Sequence, residues 1–261
     1  MTTIDRQHNP QLKARFDEQG FVVVREFLDR GELLELFSEL DRYIRDVVPT
    51  LPKEKVFFHD PERPETLKQM QYMEVDPFFE QYRFHPSWTG LAESLLGEPV
   101  EPITPEWFNK PPGTDHATPP HQDNYYLCYR PPQVITLWLA LDPADEENGC
   151  LRYVRGSHQK PLRDHQSTEV LGFSQGIADY SDEDRQQEVT VAMEPGDLVA
   201  HHGNTIHRAD ANRSDNRQRR SYATVYHAAC CDKDAEALAR YQSQLVSQHE
   251  RVNREPPSVE S

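Results

Sequence analysis

His121-Gln122-Asp123, taken with His207 further along and the pair Arg219-Arg220 beyond it, is the part of this chain whose residue types can do chemistry. Two imidazoles and one carboxylate on one face of a metal leave the opposite positions open. That is the ligand set with which non-heme Fe(II) sites bind a co-substrate and O2. In a strand, residues i and i+2 point to the same side, so His121 and Asp123 could hold one ion while Gln122 faces away. Alone the triplet proves little. With 12 histidines and 44 acidic residues, about one His-x-Asp is expected by chance, and an exposed turn is the simpler explanation.

The surroundings change that balance. Upstream stands Phe108-Asn109-Lys110-Pro111-Pro112-Gly113, and downstream come Ile135-Thr136-Leu137-Trp138-Leu139-Ala140-Leu141-Asp142, Glu146-Glu147-Asn148-Gly149-Cys150-Leu151 and Arg155-Gly156-Ser157-His158. Pro195-Gly196-Asp197-Leu198-Val199, His207, Asn212-Arg213-Ser214 and Arg219 follow in order. In this order and spacing the chain resembles the phytanoyl-CoA dioxygenase family of Fe(II)/2-oxoglutarate-dependent oxygenases, from about Phe16 to about His227.

The resemblance implies Fe(II) held by His121, Asp123 and His207, with 2-oxoglutarate and O2 as co-substrates and a small organic molecule as substrate. Oxidative decarboxylation would give succinate and CO2 and attack an unactivated C–H bond, with hydroxylation as the default outcome. Halogenases of this kind need the carboxylate ligand replaced, and Asp123 is present. The far carboxylate of 2-oxoglutarate calls for an arginine, whose planar fork pairs with both oxygens. By resemblance it lies about eleven residues past the distal histidine, where this chain has Gln218; one inserted residue in the preceding turn makes it Arg219. Alternation sends Arg219 and Arg220 to opposite faces, so only one can enter the barrel.

Trp138 matches a tryptophan beside the co-substrate, although an ordinary core position explains it equally well. Lys68 resembles a lysine that reaches the co-substrate from outside the barrel. Ala209 stands where the family often has a small hydroxyl residue, which leaves one co-substrate hydrogen bond in doubt. His201 and His202 compete for the distal ligand role, with His202 the rival to His207. Tyr125, Tyr126 and Trp107 are candidates to line an apolar substrate pocket, against plain packing.

These side chains need a scaffold, and the pattern supplies one. Leu12 to Gln19 reads as a helix, Phe21-Val22-Val23-Val24 as a strand. Asp29, with Glu32 three residues on, caps a helix whose stripe is Leu33, Leu36, Phe37, Leu40 and Ile44. Trp88 to Leu96 is a further helix. From Ile103 the pattern changes to short β segments at 104–109, 121–127, 134–141, 151–154, 188–193, 198–202 and 220–228. Short strands in that number, after helices, predict a mainly β fold with flanking helices: a double-stranded β-helix, the jelly roll of cupins.

The expected organisation is one oxygenase domain over 1–261, with a helical part at about 10–97, the jelly-roll core at about 103–228 and a C-terminal helix and tail at 233–261. Residues 45–66 suggest a surface loop, 160–187 a mobile lid or insertion. The first nine residues and the tail at 254–258 are expected to be loose, and the C-terminal helix carries no functional signal.

A net charge of −16 and a pI near 5.1 argue against nucleic acid or an anionic membrane as partners. Four cysteines without a paired spacing, and a first stretch without the apolar core of a signal peptide, suit the cytoplasm. Asn212-Arg213-Ser214 matches a glycosylation acceptor by coincidence. Nothing here bears on oligomeric state. Two readings from other classes stand beside the oxygenase. A cupin-like metalloprotein with non-oxidative chemistry would work without O2 and have no use for a carboxylate-binding arginine; a non-catalytic ligand-binding relative has no reason to keep an intact triad. The acidic residues of 45–66 and 160–187, if they form the pocket rim, oppose a CoA polyanion, so a neutral or cationic substrate is expected. A basic patch of Arg208, Arg213, Arg217 and Arg220 would overturn that.

Overall fold

The computed structural model describes residues 10–60, 62–114, 116–168 and 175–252. The first nine residues, the tail at 254–258 and Glu169 lie outside these ranges. Helix α1 (Pro10–Gln19) stops at Gly20, whose φ of +84° suits only glycine, and where an added Cβ would meet His158 and Thr205 at 2.5 Å. The chain turns there into β1 (Phe21–Val24). Helix α2 (Arg30–Arg42) begins with the expected capping box: Asp29 accepts from the N–H groups of Gly31 and Glu32, and Glu32 accepts from that of Asp29.

The hairpin β2 (Val56–Phe58) and β3 (Leu67–Met70) follows, then α3 (Pro77–Tyr82), α4 (Pro86–Leu96) and the long β4 (Val100–Asn109). Next come β5 (Thr118–His121), α5 (Asp123–Leu127), β6 (Tyr129–Arg130), β7 (Val134–Ala140) and β8 (Leu151–Val154). They lead to β9 (His165–Ser167), β10 (Gln175–Ile177), α6 (Asp182–Gln186), β11 (Glu188–Val191), β12 (Leu198–His202) and β13 (His207–Ala209). The last elements are β14 (Arg220–Ala228), β15 (Asp232–Lys233) and α7 (Ala235–Val252).

Two antiparallel sheets make the jelly roll: seven strands in the order β1-β12-β7-β14-β4-β3-β2, and four in the order β11-β8-β13-β5. The outer face of the larger sheet, with Trp107, Leu137, Leu139 and Tyr222, is covered by Leu36 and Leu40 of α2 and Trp88, Leu91 and Leu95 of α4. Its inner face, with Phe21, Trp138, Val199 and Ala223, meets Leu151, Tyr153 and Val191 of the smaller sheet. Coverage on both sides is why β7 reads as an almost unbroken apolar run, Val-Ile-Thr-Leu-Trp-Leu-Ala.

Some expectations need correction. The strand expected at 121–127 is instead β5 ending at His121, followed by the short helix α5. Asn124 closes this turn: its side chain bonds the N–H and C=O of Tyr129, and its N–H donates to Gly203. The aromatic residues that suggested a strand thus sit on a capped turn. The loop expected at 45–66 contains β2, which lengthens the larger sheet at its edge together with β3. Within 160–187, β9 and β10 pair with each other. Beyond β1, which lies where a strand was expected, the larger sheet takes two more strands, β2 and β3, from the part of the chain read as mainly helical.

Candidate active site

The ligating atoms of His121, Asp123 and His207 lie within 4.8 Å of one another, the one such group that could hold a metal among the described residues. Pairing of β13 with β5 makes His121 and His207 direct partners across the ladder, so both rings leave the sheet on the same side. Their centroids are 4.2 Å apart. Each ring is turned by its own backbone: His121 Nδ1 donates to Pro119 O at 2.8 Å and His207 Nδ1 to Thr205 O at 3.0 Å. Both Nε2 lone pairs therefore face Asp123 Oδ1, at 3.5 and 3.6 Å. Burial pushes both imidazoles below their usual range, into the neutral form a metal needs.

Asp123 reaches this point because Gln122 is anchored behind it. The Gln122 amide donates to Asn204 O, and its carbonyl oxygen accepts from Arg163 N. Oδ2 of Asp123 accepts from Thr136 Oγ1 at 2.6 Å and from His201 Nε2 at 3.0 Å, and Tyr153 Oη lies 3.0 Å from His201 Nδ1. Burial alone would raise this carboxyl, but His207, the His201 hydrogen bond and His121 hold it far below the carboxylate range. His201, not His202, is the histidine of β12 that faces the triad. His202 points out of the barrel, toward His158 and Phe16, which removes it as the rival ligand.

A cavity of about 540 Å³ opens over the triad. Trp138, Lys68 and Arg219 all line it. Arg219 is 4 % exposed, and its guanidinium carbon lies 5.4 Å from the Trp138 ring centre. Its Nε has no hydrogen-bond partner among the described residues, and burial pushes the group down to about 10. Arg220 leaves the other face, bonding Asp142 through N, Nε and Nη2 over the Phe37 ring. Two asparagines build the turn that delivers Arg219: Asn212 bonds the carbonyls of Lys110 and Arg217, and Asn148 those of Pro143 and Gln218. Asn212 and Ser214 are 1 % and 2 % exposed, which disposes of the glycosylation match. Ala209 is buried in the barrel interior.

Four cavity residues escaped the sequence reading. Lys110 is buried beside Lys68 and Arg219; burial and Arg219 push its ammonium well down. Burial likewise lowers Lys68 to about 8. His59 stacks on His116 at 5.4 Å and is held at about 4. Glu106, on β4, is pushed up to about 8 by burial, Asp123 and Glu74. The detectable signal was the alternation Thr104, Glu106, Phe108 against Pro105, Trp107: a charged residue in the middle of an otherwise apolar strand face.

Of the aromatic candidates, Tyr126 lines the cavity, Tyr125 stacks on His165, and Trp107 faces the helices. Among the described residues, none of the acidic groups of 45–66 and 160–187 lines the cavity: from the first segment only His59 reaches the wall, and from the second none does. Helix α7, expected to carry no signal, supplies Leu238, Tyr241 and Gln242 to the wall.

Residues 16–221 match the family described as Phytanoyl-CoA dioxygenase (PhyH). Phytanoyl-CoA dioxygenase 1 of Oryza sativa subsp. japonica is 34% identical over 143 residues, covering 54% of this chain and 50% of that protein. The peroxisomal phytanoyl-CoA dioxygenase of Bos taurus is 27% identical over 223 residues, covering 76% and 63%. The chain thus spans between half and two thirds of these curated relatives. Among solved structures, the non-heme alpha ketoglutarate dependent epimerase SnoN from nogalamycin biosynthesis aligns with a TM-score of 0.66 at 26% identity, over 85% of this chain and 81% of that one. EctD from S. alaskensis, solved with 2-oxoglutarate and 5-hydroxyectoine, gives 0.69 at 17% identity over 87% and 79%, a likeness of fold.

Proposed function

Since the chain belongs to the phytanoyl-CoA dioxygenase family, we propose that it is a single-domain Fe(II)/2-oxoglutarate-dependent dioxygenase that hydroxylates a small organic molecule. The observation that carries this reading is Arg219: a buried guanidinium with an orphaned Nε, on the same cavity wall as Trp138 and above the His121-Asp123-His207 group. Leaving a cation buried and unpaired is costly, and the far carboxylate of a 2-oxoacid bound at the triad would supply the missing partner. The non-oxidative cupin reading has no task for that arginine.

His121, Asp123 and His207 fit Fe(II), having neutral imidazoles and an ionised carboxylate on one side. Bound there with 2-oxoglutarate and O2, the iron would supply an oxidant for an unactivated C–H bond, with release of succinate and CO2. The protein's own part is positional. Pro119 and Thr205 aim the imidazoles, Thr136 and His201 fix Asp123, and Trp138 lies beneath Arg219 where it shields the co-substrate arm from water.

The curated relatives carry phytanoyl-CoA in their names, yet of the four arginines that could form a basic patch for a CoA polyanion only the exposed Arg213 has no carboxylate partner among the described residues. Arg208 is paired with Glu188 and Asp210, Arg217 with Asp145 and Glu147, Arg220 with Asp142. This supports a substrate free of CoA. No helix among the described residues is long and apolar enough to cross a membrane, and four free cysteines, three of them buried, fit a reducing compartment such as the cytoplasm.

Anaerobic titration with Fe(II) and 2-oxoglutarate, watched for a visible metal-to-ligand absorption, tests metal, geometry and co-substrate together. The band should form in the wild type and be lost in Asp123→Ala and His207→Ala. Turnover under 18O2 should then place label in both succinate and product; a product without label would make the reaction an oxidation other than hydroxylation. Activity that needs no O2 would restore the cupin reading.

A further inference from the structure

The cavity has two electrically different ends. At one lie Lys68, Lys110 and Arg219, with Lys110 lowered by burial and by the charges of Arg219 and Lys68. At the other stands Glu106, partly buried, with no hydrogen bond or ion pair among the described residues. The charged groups that bear on it are both carboxylates, Asp123 and Glu74. Glu74 is occupied, accepting from Thr104 Oγ1 at 3.0 Å. Strand register puts Glu106 opposite Ala223, and Ala223 opposite Trp138, so all three share one row of the barrel's inner face. The small Ala223 leaves the space between them open. The Tyr72 ring belongs to the same corner: it lines the cavity, its hydroxyl is raised by burial and by the charges of Glu106 and Glu74, and it already receives one cation, Lys55 Nζ at 5.5 Å from its centre.

Resting on the oxygenase reading above, we propose that Glu106 is the substrate-recognising carboxylate and that the substrate carries a positively charged nitrogen, seated between Glu106 and the Tyr72 ring. The basic end matches the dicarboxylate co-substrate, and Fe(II) offsets Asp123. Glu106 is then the one cavity carboxylate among the described residues still without a counter-charge. Without a partner the fold keeps such a carboxyl in its neutral form, and an ammonium seated beside it would supply the partner that its ionised form lacks. A carboxylate beside an aromatic face meets an ammonium on two sides, by ion pair and by cation–π attraction.

The test uses matched probes: hexylamine, hexanol and hexanoic acid, and phenethylamine, 2-phenylethanol and phenylacetic acid. Ligand-observed NMR under nitrogen ranks their binding to the protein carrying Fe(II) and 2-oxoglutarate. Whether the visible band forms in that sample judges the parent reading separately, because the NMR ranking does not depend on it. The expected result is that each amine binds at least tenfold more tightly than its alcohol and acid. Glu106→Gln should erase that margin, and Tyr72→Leu should reduce it. Glu106→Gln keeps the shape and leaves a side chain that cannot ionise, so its melting temperature should equal or exceed that of the wild type. Amines no better than alcohols, a preference for acids, failure of every probe to bind, or a margin that survives Glu106→Gln would each overturn the proposal. Should the variant fail to fold, the wild-type ranking alone decides.

Discussion

Arg219 and Arg220 are neighbours in sequence and opposites in surroundings: one buried with an orphaned nitrogen, the other clasped by Asp142. Losing a charged partner of a desolvated carboxylate costs about 2 to 5 kcal/mol. Arg219→Ala is therefore expected to raise the KM for 2-oxoglutarate by roughly one to three decades, and Arg220→Ala to leave it nearly unchanged; equal, mild effects in steady-state kinetics would sink the distinction. The two histidines of β12 divide in the same way. His201 holds the Asp123 oxygen that the triad does not use, and groups in that position affect metal affinity by about 10- to 100-fold. His201→Ala should weaken Fe(II) binding on that scale by competition titration, and His202→Ala should not. That His121, Asp123 and His207 would lie together and that Arg219 would face the cavity was legible because fixed spacings flank them. His201, Lys110 and Glu106 were not, since each is a single residue on a strand and only the sheet register shows which way it points.

At the scale of elements, the Asp29–Glu32 capping box was readable because it is local and follows from side-chain chemistry alone. Asp29→Ala is expected to lower stability by about 1 kcal/mol, seen as a shifted urea midpoint at constant slope; a changed slope would point to another cause. Strands whose bounds coincide with apolar runs, such as β12 and β14, were equally plain. Misreadings fell where tertiary contacts outvote composition. Asn124 turns Tyr125 and Tyr126 into a helix through nearby Tyr129 and through Gly203, a partner that no local window contains. Helix α7 looked inert because its value lies in where it docks, over the cavity and against Tyr125 and Tyr126.

The whole molecule carries a pH response built from its buried histidines. His165 and His202 are 6 % and 9 % exposed, and burial holds both at about 4. In the unfolded chain they titrate near 6.5. As pH falls from about 6.5 to about 4 the unfolded chain takes up protons that the folded one refuses, so stability is lost across that window, by about 3 to 4 kcal/mol per group at most. His202 also accepts from Asn204 N through Nδ1, which only the neutral ring can do. Denaturation at pH 7 and pH 5 should show the loss, and His202→Gln should shrink it; an unchanged difference would remove His202 from the account.

One further consequence follows from the register of the smaller sheet. Strand β5 is its edge, held to β13 by two registered pairs, His121 with His207 and Thr118 with Ala209, between which the register slips. The two histidines are themselves rungs of that ladder, so an ion bound to both rings ties the edge strand in place, as a clasp closes the end of a chain. Short edge ladders open readily. The amide hydrogens of Thr118 and His121, the two non-proline residues of β5, and those of 207–209 should therefore exchange fast in the metal-free protein and slow selectively when Fe(II) is added, with little change in the larger sheet. Exchange slowed evenly over both sheets would show that the ion braces the barrel at large and not this one seam.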